Sequence, residues 1–150
     1  MIRRRFVDVA HGQMHLRSAG TGGTPLVMLH TNPTSSVDLV AMIERFAADR
    51  AVFAPDTPGL GDSAPLPHPM PEIADYAEAI AGTVDALGID RFHVYGCHTG
   101  ANLALELALR WPERVKGVIF DGIAMYSPAM RDDLLAHYAP PVPANPTTFP

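Results

Sequence analysis

The chain has a single cysteine, Cys97, in 150 residues. That excludes a disulfide within the chain and fits a reducing compartment. Positive charge is also short: eleven Lys and Arg stand against sixteen Asp and Glu, for a formal net charge of −5. Beyond the cluster Arg3, Arg4 and Arg5 no basic face can be traced, so nucleic acid is not an expected partner. Long apolar runs are missing as well. The stretch FVDVAHGQMHL after the arginines is broken by Asp8, His11 and Gln13, where a secretion signal needs a continuous apolar core. No other stretch is long and apolar enough to span a bilayer. Together these absences predict a cytoplasmic protein with no membrane contact. Metal ligands at a fixed local spacing are lacking too: His30 and His98 find no third partner nearby in sequence, and no metal is expected.

What is present is 47% hydrophobic content, enough for one globular domain or most of one. Phe6 to Val9 and Met14 to Arg17 alternate apolar with polar around His11-Gly12, which predicts a hairpin with one wet face. Leu26-Val27-Met28-Leu29 is a continuous apolar run, predicting a strand buried on both faces. Ser35 with Asp38 is a cap for a helix whose inner face would be Val37, Val40, Met42, Ile43 and Phe46. Ala51 to Ala54 is the next strand, and the Gly- and Pro-rich loop Pro55 to Ser63 reads as structure rather than chemistry. Ile73, Tyr76, Ala77, Ile80, Val84 and Leu87 fit a 3.6-residue repeat closed by Gly88. Val115 to Phe120 is a sixth strand ending at Asp121, and a helix is expected near 128–138. Residues 139–150 hold five prolines and read as a linker or lid root beyond a core of 1–138.

The chain is organised around Val94 to Trp111. A short apolar run meets Gly96 and Gly100, which bracket Cys97-His98-Thr99, and a helix-forming segment follows at once. Glycines at both positions imply a sharp strand-to-helix turn in which backbone passes close to backbone. Behind it Asn102, Glu106 and Arg110 recur every four residues, which predicts a helix buried on nearly every other side. The five residues Gly96 to Gly100 resemble the G-x-S-x-G nucleophile elbow of the α/β-hydrolase superfamily, with histidine in place of the nucleophile. His30 to Ser36 (HTNPTSS) resembles the H-G-x-P loop after the third strand of that family, most closely its dehalogenase and epoxide hydrolase branch, with Thr31 replacing glycine. Pro55 to Ser63 is similar to its P-D-x-x-G-x-G-x-S loop.

The resemblance implies an α/β fold, a mostly parallel sheet with helices on both faces, of which this chain carries the N-terminal part. It also implies a small-molecule substrate, no cofactor, and a second chain or C-terminal half to complete the sheet and lid. On that reading His98 is general base or nucleophile toward a small, mostly apolar ester, lactone or similar electrophile. The backbones of Asn32 and Thr99 would be oxyanion donors, with His30 shaping that loop, and Asp121 would orient the imidazole. Cys97, one position before the apex, is expected to point into packing. Dehalogenation is not expected, since that chemistry needs a carboxylate at the apex and a tryptophan beside it. Two rival readings stay open: a ligand-binding pseudoenzyme, and a cofactor-free oxygenase or lyase on the same fold.

Overall fold

A computed structural model describes residues 1–137. The proline-rich segment 139–150 lies outside the described residues. Six strands form one sheet in the order β1-β2-β4-β3-β5-β6: β1 (Arg3–Val9), β2 (Gly12–Ala19), β3 (Leu26–Leu29), β4 (Val52–Pro55), β5 (Phe92–Cys97) and β6 (Val115–Asp121). The first two pair antiparallel as the expected hairpin, and β2 runs antiparallel to β4. The remaining neighbours are parallel. Strand β1 begins three residues earlier than the alternation suggested and draws all three arginines into the ladder.

The run Leu26 to Leu29 is buried at every position. Its side chains divide by parity, as a strand requires. Val27 and Leu29 join Val94 and Phe92 beneath helices α2 (Ile73–Ala86) and α3 (Thr99–Arg110), which contribute Ile80, Val84, Leu103 and Leu107. Leu26 and Met28 join Val52 and Ala54 on the opposite face beneath Leu39 and Ile43. Each fully buried aliphatic side chain stabilises the fold by about 1.5–3 kcal/mol. The strands that carry the two loops of interest are therefore clamped on both sides.

Two amphipathic readings are corrected. Ser35 does cap the helix after β3, its hydroxyl accepting from the Val37 N–H at 3.3 Å. The first turn, however, is a 3-10 turn over Ser36–Leu39, and α1 proper is Val40–Phe46. Three residues per turn shift the phase of the pattern, so Leu39 is buried and Val37 is exposed. Helix α3 is less enclosed than its composition implied: Leu109 is 68% exposed, and Leu105 and Ala108 are only half-buried. Strand β6 stands at the edge of the sheet with Ile119 and Phe120 exposed, and α4 (Pro128–His137) buries none of its residues. Among the described residues no helix is long and apolar enough to cross a membrane.

Candidate active site

Strand β5 leads into α3 through one residue, His98, with φ 50° and ψ −111°. It is the one non-glycine residue at positive φ among those described. An L-residue held there carries strain of about 1–3 kcal/mol, which persists only where the surroundings over-determine it. They do so through the two glycines. A Cβ on Gly96 would strike the Gly100 carbonyl, and one on Gly100 would strike the carbonyls of Leu29 and His30. The His98 N–H donates to the Asp121 carbonyl at 2.9 Å, and the His98 carbonyl accepts from Ala101 N–H at 2.9 Å. The turn is thus pinned entirely by backbone, and the His98 side chain stands exposed at its apex. Replacing Gly100 with Ala should cost about 2–3 kcal/mol in urea unfolding, because the obstacles are main-chain carbonyls that no rotamer change relieves.

Thr99 is the first residue of α3, so its N–H is one of the free donors at a helix N-terminus. Asn32 sits in the exposed part of the loop after β3 and is joined to Pro33 by a cis peptide bond. Thr31, which stands where the resembling loops have glycine, does not need glycine's freedom here, since its φ is not positive. Its carbonyl instead gathers the loop, accepting from His30 Nδ1–H at 2.7 Å and from the Thr34 hydroxyl at 2.8 Å.

His30 is fully buried and both its nitrogens are engaged, Nε2 accepting from the Thr57 N–H at 2.9 Å. Those bonds fix the Nδ1–H tautomer of a neutral ring. It braces the loop from below, tying the end of β3 to the loop after β4.

Asp121 closes β6, beside His98 as expected, but its side chain turns elsewhere. The carboxylate accepts from the Tyr95 hydroxyl at 2.6 Å, and the link to His98 runs through the Asp121 backbone. Burial, reinforced by that carboxylate, pushes the Tyr95 phenol well above its ordinary range. The His98 ring instead lies over Gly122, where an added Cβ would meet Nε2 at 3.4 Å. Cys97 is half-buried and packs against the core cluster on the Leu26 face, in line with its expected packing role.

Two residues outside the predicted set do more than expected. His15, in the second strand of the hairpin, is fully buried and donates from Nδ1 to Asp56 at 2.8 Å, while its Nε2 accepts from Arg4 Nε–H at 3.0 Å. Asp56 also accepts from Ser36 N–H at 2.8 Å and Asp62 N–H at 3.0 Å. One carboxylate therefore joins β2, the helix after β3 and the loop after β4. The position of Asp56 in a turn-rich loop was legible; its partner forty-one residues away was not.

A family model described as the alpha/beta hydrolase fold matches residues 24–146. The chain is 31% identical over 136 residues to a proline iminopeptidase of Heyndrickxia coagulans, covering 89% of this chain and 47% of that protein. It is 34% identical over 119 residues to haloalkane dehalogenase 2 of Mycobacterium bovis, covering 77% and 40%. Among solved structures it is similar to an N-acyl homoserine lactonase (TM-score 0.76, 28% identity, 82% of this chain and 46% of that one). An epoxide hydrolase is also similar (TM-score 0.78, 25% identity, 91% and 50%). The chain spans about half the length of these relatives, or less. With a six-stranded, mostly parallel sheet, helices on both faces and a family match over most of its length, the chain belongs to the α/β-hydrolase fold family.

Proposed function

We propose that the protein contributes the N-terminal half of a hydrolase site for a small, mostly apolar ester, lactone or similar electrophile, with His98 as general base or nucleophile. The observation that carries this reading is the backbone of His98. A strained, glycine-walled apex that presents an exposed imidazole beside a helix N-terminus is costly to keep, and strain of this kind clusters at functional sites. Donors at Asn32 and Thr99 would each stabilise a developing oxyanion by about 3–4 kcal/mol. The similar proteins are named as an iminopeptidase, a dehalogenase, a lactonase and an epoxide hydrolase, which supports a hydrolase reading.

The reading includes a complement. Among the described residues β6 leaves Ile119 and Phe120 exposed along an unpaired parallel edge, and the relatives are about twice as long. A second chain or C-terminal half that pairs with this edge would complete the sheet and cover the site. Intact mass of the purified protein reveals such a species directly. Turnover of short-chain p-nitrophenyl esters and γ-lactones is then measured on that same material, beside its His98→Ala variant.

One observation favours the pseudoenzyme reading: the Asp121 carboxylate serves Tyr95, leaving the His98 ring without an acidic orienter in this arrangement. Ligand affinity retained in His98→Ala, with no turnover in either protein, would select that reading and end the hydrolase proposal.

A further inference from the structure

Register places a row of side chains on one face of the hairpin end of the sheet. Arg3 lies opposite Ser18 across the hairpin and Ser18 lies opposite Phe53 of β4, so the three share a face. Arg5, two residues along β1, shares it too. All four line a cleft of about 570 Å³, the size of a small-molecule site, whose other wall is the chain around Thr21 and Ala47. The cleft is at the opposite end of the sheet from His98. Phe53 stands beside Val27 near the starts of β4 and β3, and β3 runs parallel to β5, whose far end carries His98.

Its charge is of one sign. No carboxylate lines it, although the chain carries a net charge of −5. Arg4, Arg50, Arg91, Arg110 and Arg114 each reach an Asp or Glu, whereas Arg3 and Arg5 make no ion pair among the described residues. Ser18 gives a second and independent sign. It is 8% exposed, and among the described residues its hydroxyl has no hydrogen-bond partner. That oxygen is not sealed in, since the one fully enclosed unpartnered side-chain nitrogen or oxygen described is His11 Nε2. Buried hydroxyls are ordinarily partnered, and this one borders the cleft.

Two guanidiniums bring donors and no acceptor, and the Ser18 hydroxyl can add one donor. Together they suit a ligand with a double negative charge and several acceptor oxygens. A phosphate monoester has three terminal oxygens and, with a second pKa of about 6, is close to a dianion near neutral pH. A lone carboxylate would leave one guanidinium unmatched. We propose that this cleft binds the phosphate monoester of a small organic molecule, the phosphate held between Arg3 and Arg5 and accepting from the Ser18 hydroxyl, the organic body against Phe53.

Phenyl phosphate is the probe, titrated by calorimetry into the intact chain at about pH 8, where it is a dianion. Benzenesulfonate, of similar shape with a single charge, and inorganic phosphate, without the ring, are its controls. Expected is saturable one-to-one binding of phenyl phosphate, with each control at least about tenfold weaker. Arg3→Gln and Arg5→Gln should each weaken it about tenfold, and Ser18→Ala several-fold. Arg3 and Arg5 are exposed, so their variants keep the fold, and circular dichroism checks all three. Arg131→Gln, at an exposed position on α4, and His98→Ala should bind as the parent does. No saturable binding, a control bound as tightly as the probe, or indifference to both arginine substitutions would overturn the proposal. So would an equal loss in Arg131→Gln, which would mean unspecific charge attraction, or a loss in His98→Ala, which would place the ligand at the apex instead.

Discussion

Replacing His98 with glycine is expected to abolish ester turnover while making the protein more stable. On the proposed reading, loss of the imidazole removes the base or nucleophile, which is expected to cost about 10³-fold in kcat/KM, or roughly 4 kcal/mol of transition-state stabilisation. Glycine meanwhile adopts φ 50° without the Cβ penalty, and even after its larger unfolded-state entropy the fold should gain about 1 kcal/mol. Urea unfolding and initial rates on the same preparations check both halves. Alanine at this position should lose activity equally but gain no stability, because it keeps the Cβ. Turnover within a few-fold of the parent in the glycine variant would remove His98 from the chemistry.

The largest stability effect is expected at Asp56. Alanine there strands three N–H donors at once, the buried ones of His15 and Ser36 and the part-buried one of Asp62, and should cost about 4 kcal/mol by urea unfolding. Asparagine keeps a single acceptor oxygen and turns an amide NH₂ toward one of the donors, so about half that loss is expected. The effect also has a pH signature. Burial alone would raise the Asp56 pKa, but the hydrogen bonds from Ser36, Asp62 and His15 outweigh it and hold the value below the ordinary carboxylate range. A depressed carboxylate contributes its full stabilisation above the unfolded value of about 3.9 and loses it as pH falls through the folded one. The gap between parent and Asp56→Ala should therefore be constant near neutrality and narrow only below about pH 4. A gap that narrowed toward alkaline pH instead would mean that some other group carries it.

These two positions mark what the sequence could and could not disclose. Leu26 to Leu29 and the glycine pair around His98 are local signals, since a continuous apolar run and two Cβ-free positions constrain the backbone wherever they fold. The sharp turn with His98 at its apex followed from them directly, whereas its positive φ did not. The His15–Asp56 pair did not, because a buried imidazole in a strand looks like any other polar residue until a loop forty-one residues later delivers its carboxylate. The Val37 error came from assuming one helical period where the first turn has another. Asp121 was placed correctly at its strand end, yet the choice of its side chain between His98 and Tyr95 turns on a rotamer, which spacing does not encode.

The turn after β5 owes nothing to the imidazole it displays. Every contact that shapes it is made by main chain or by the absence of a side chain, at Gly96, Gly100, Leu29 and Asp121. The socket is thus independent of its occupant, and one codon change at position 98 can exchange an imidazole for a hydroxyl, thiol or carboxylate without rebuilding the mount. A lineage using this architecture can trial new reactivities at almost no folding risk.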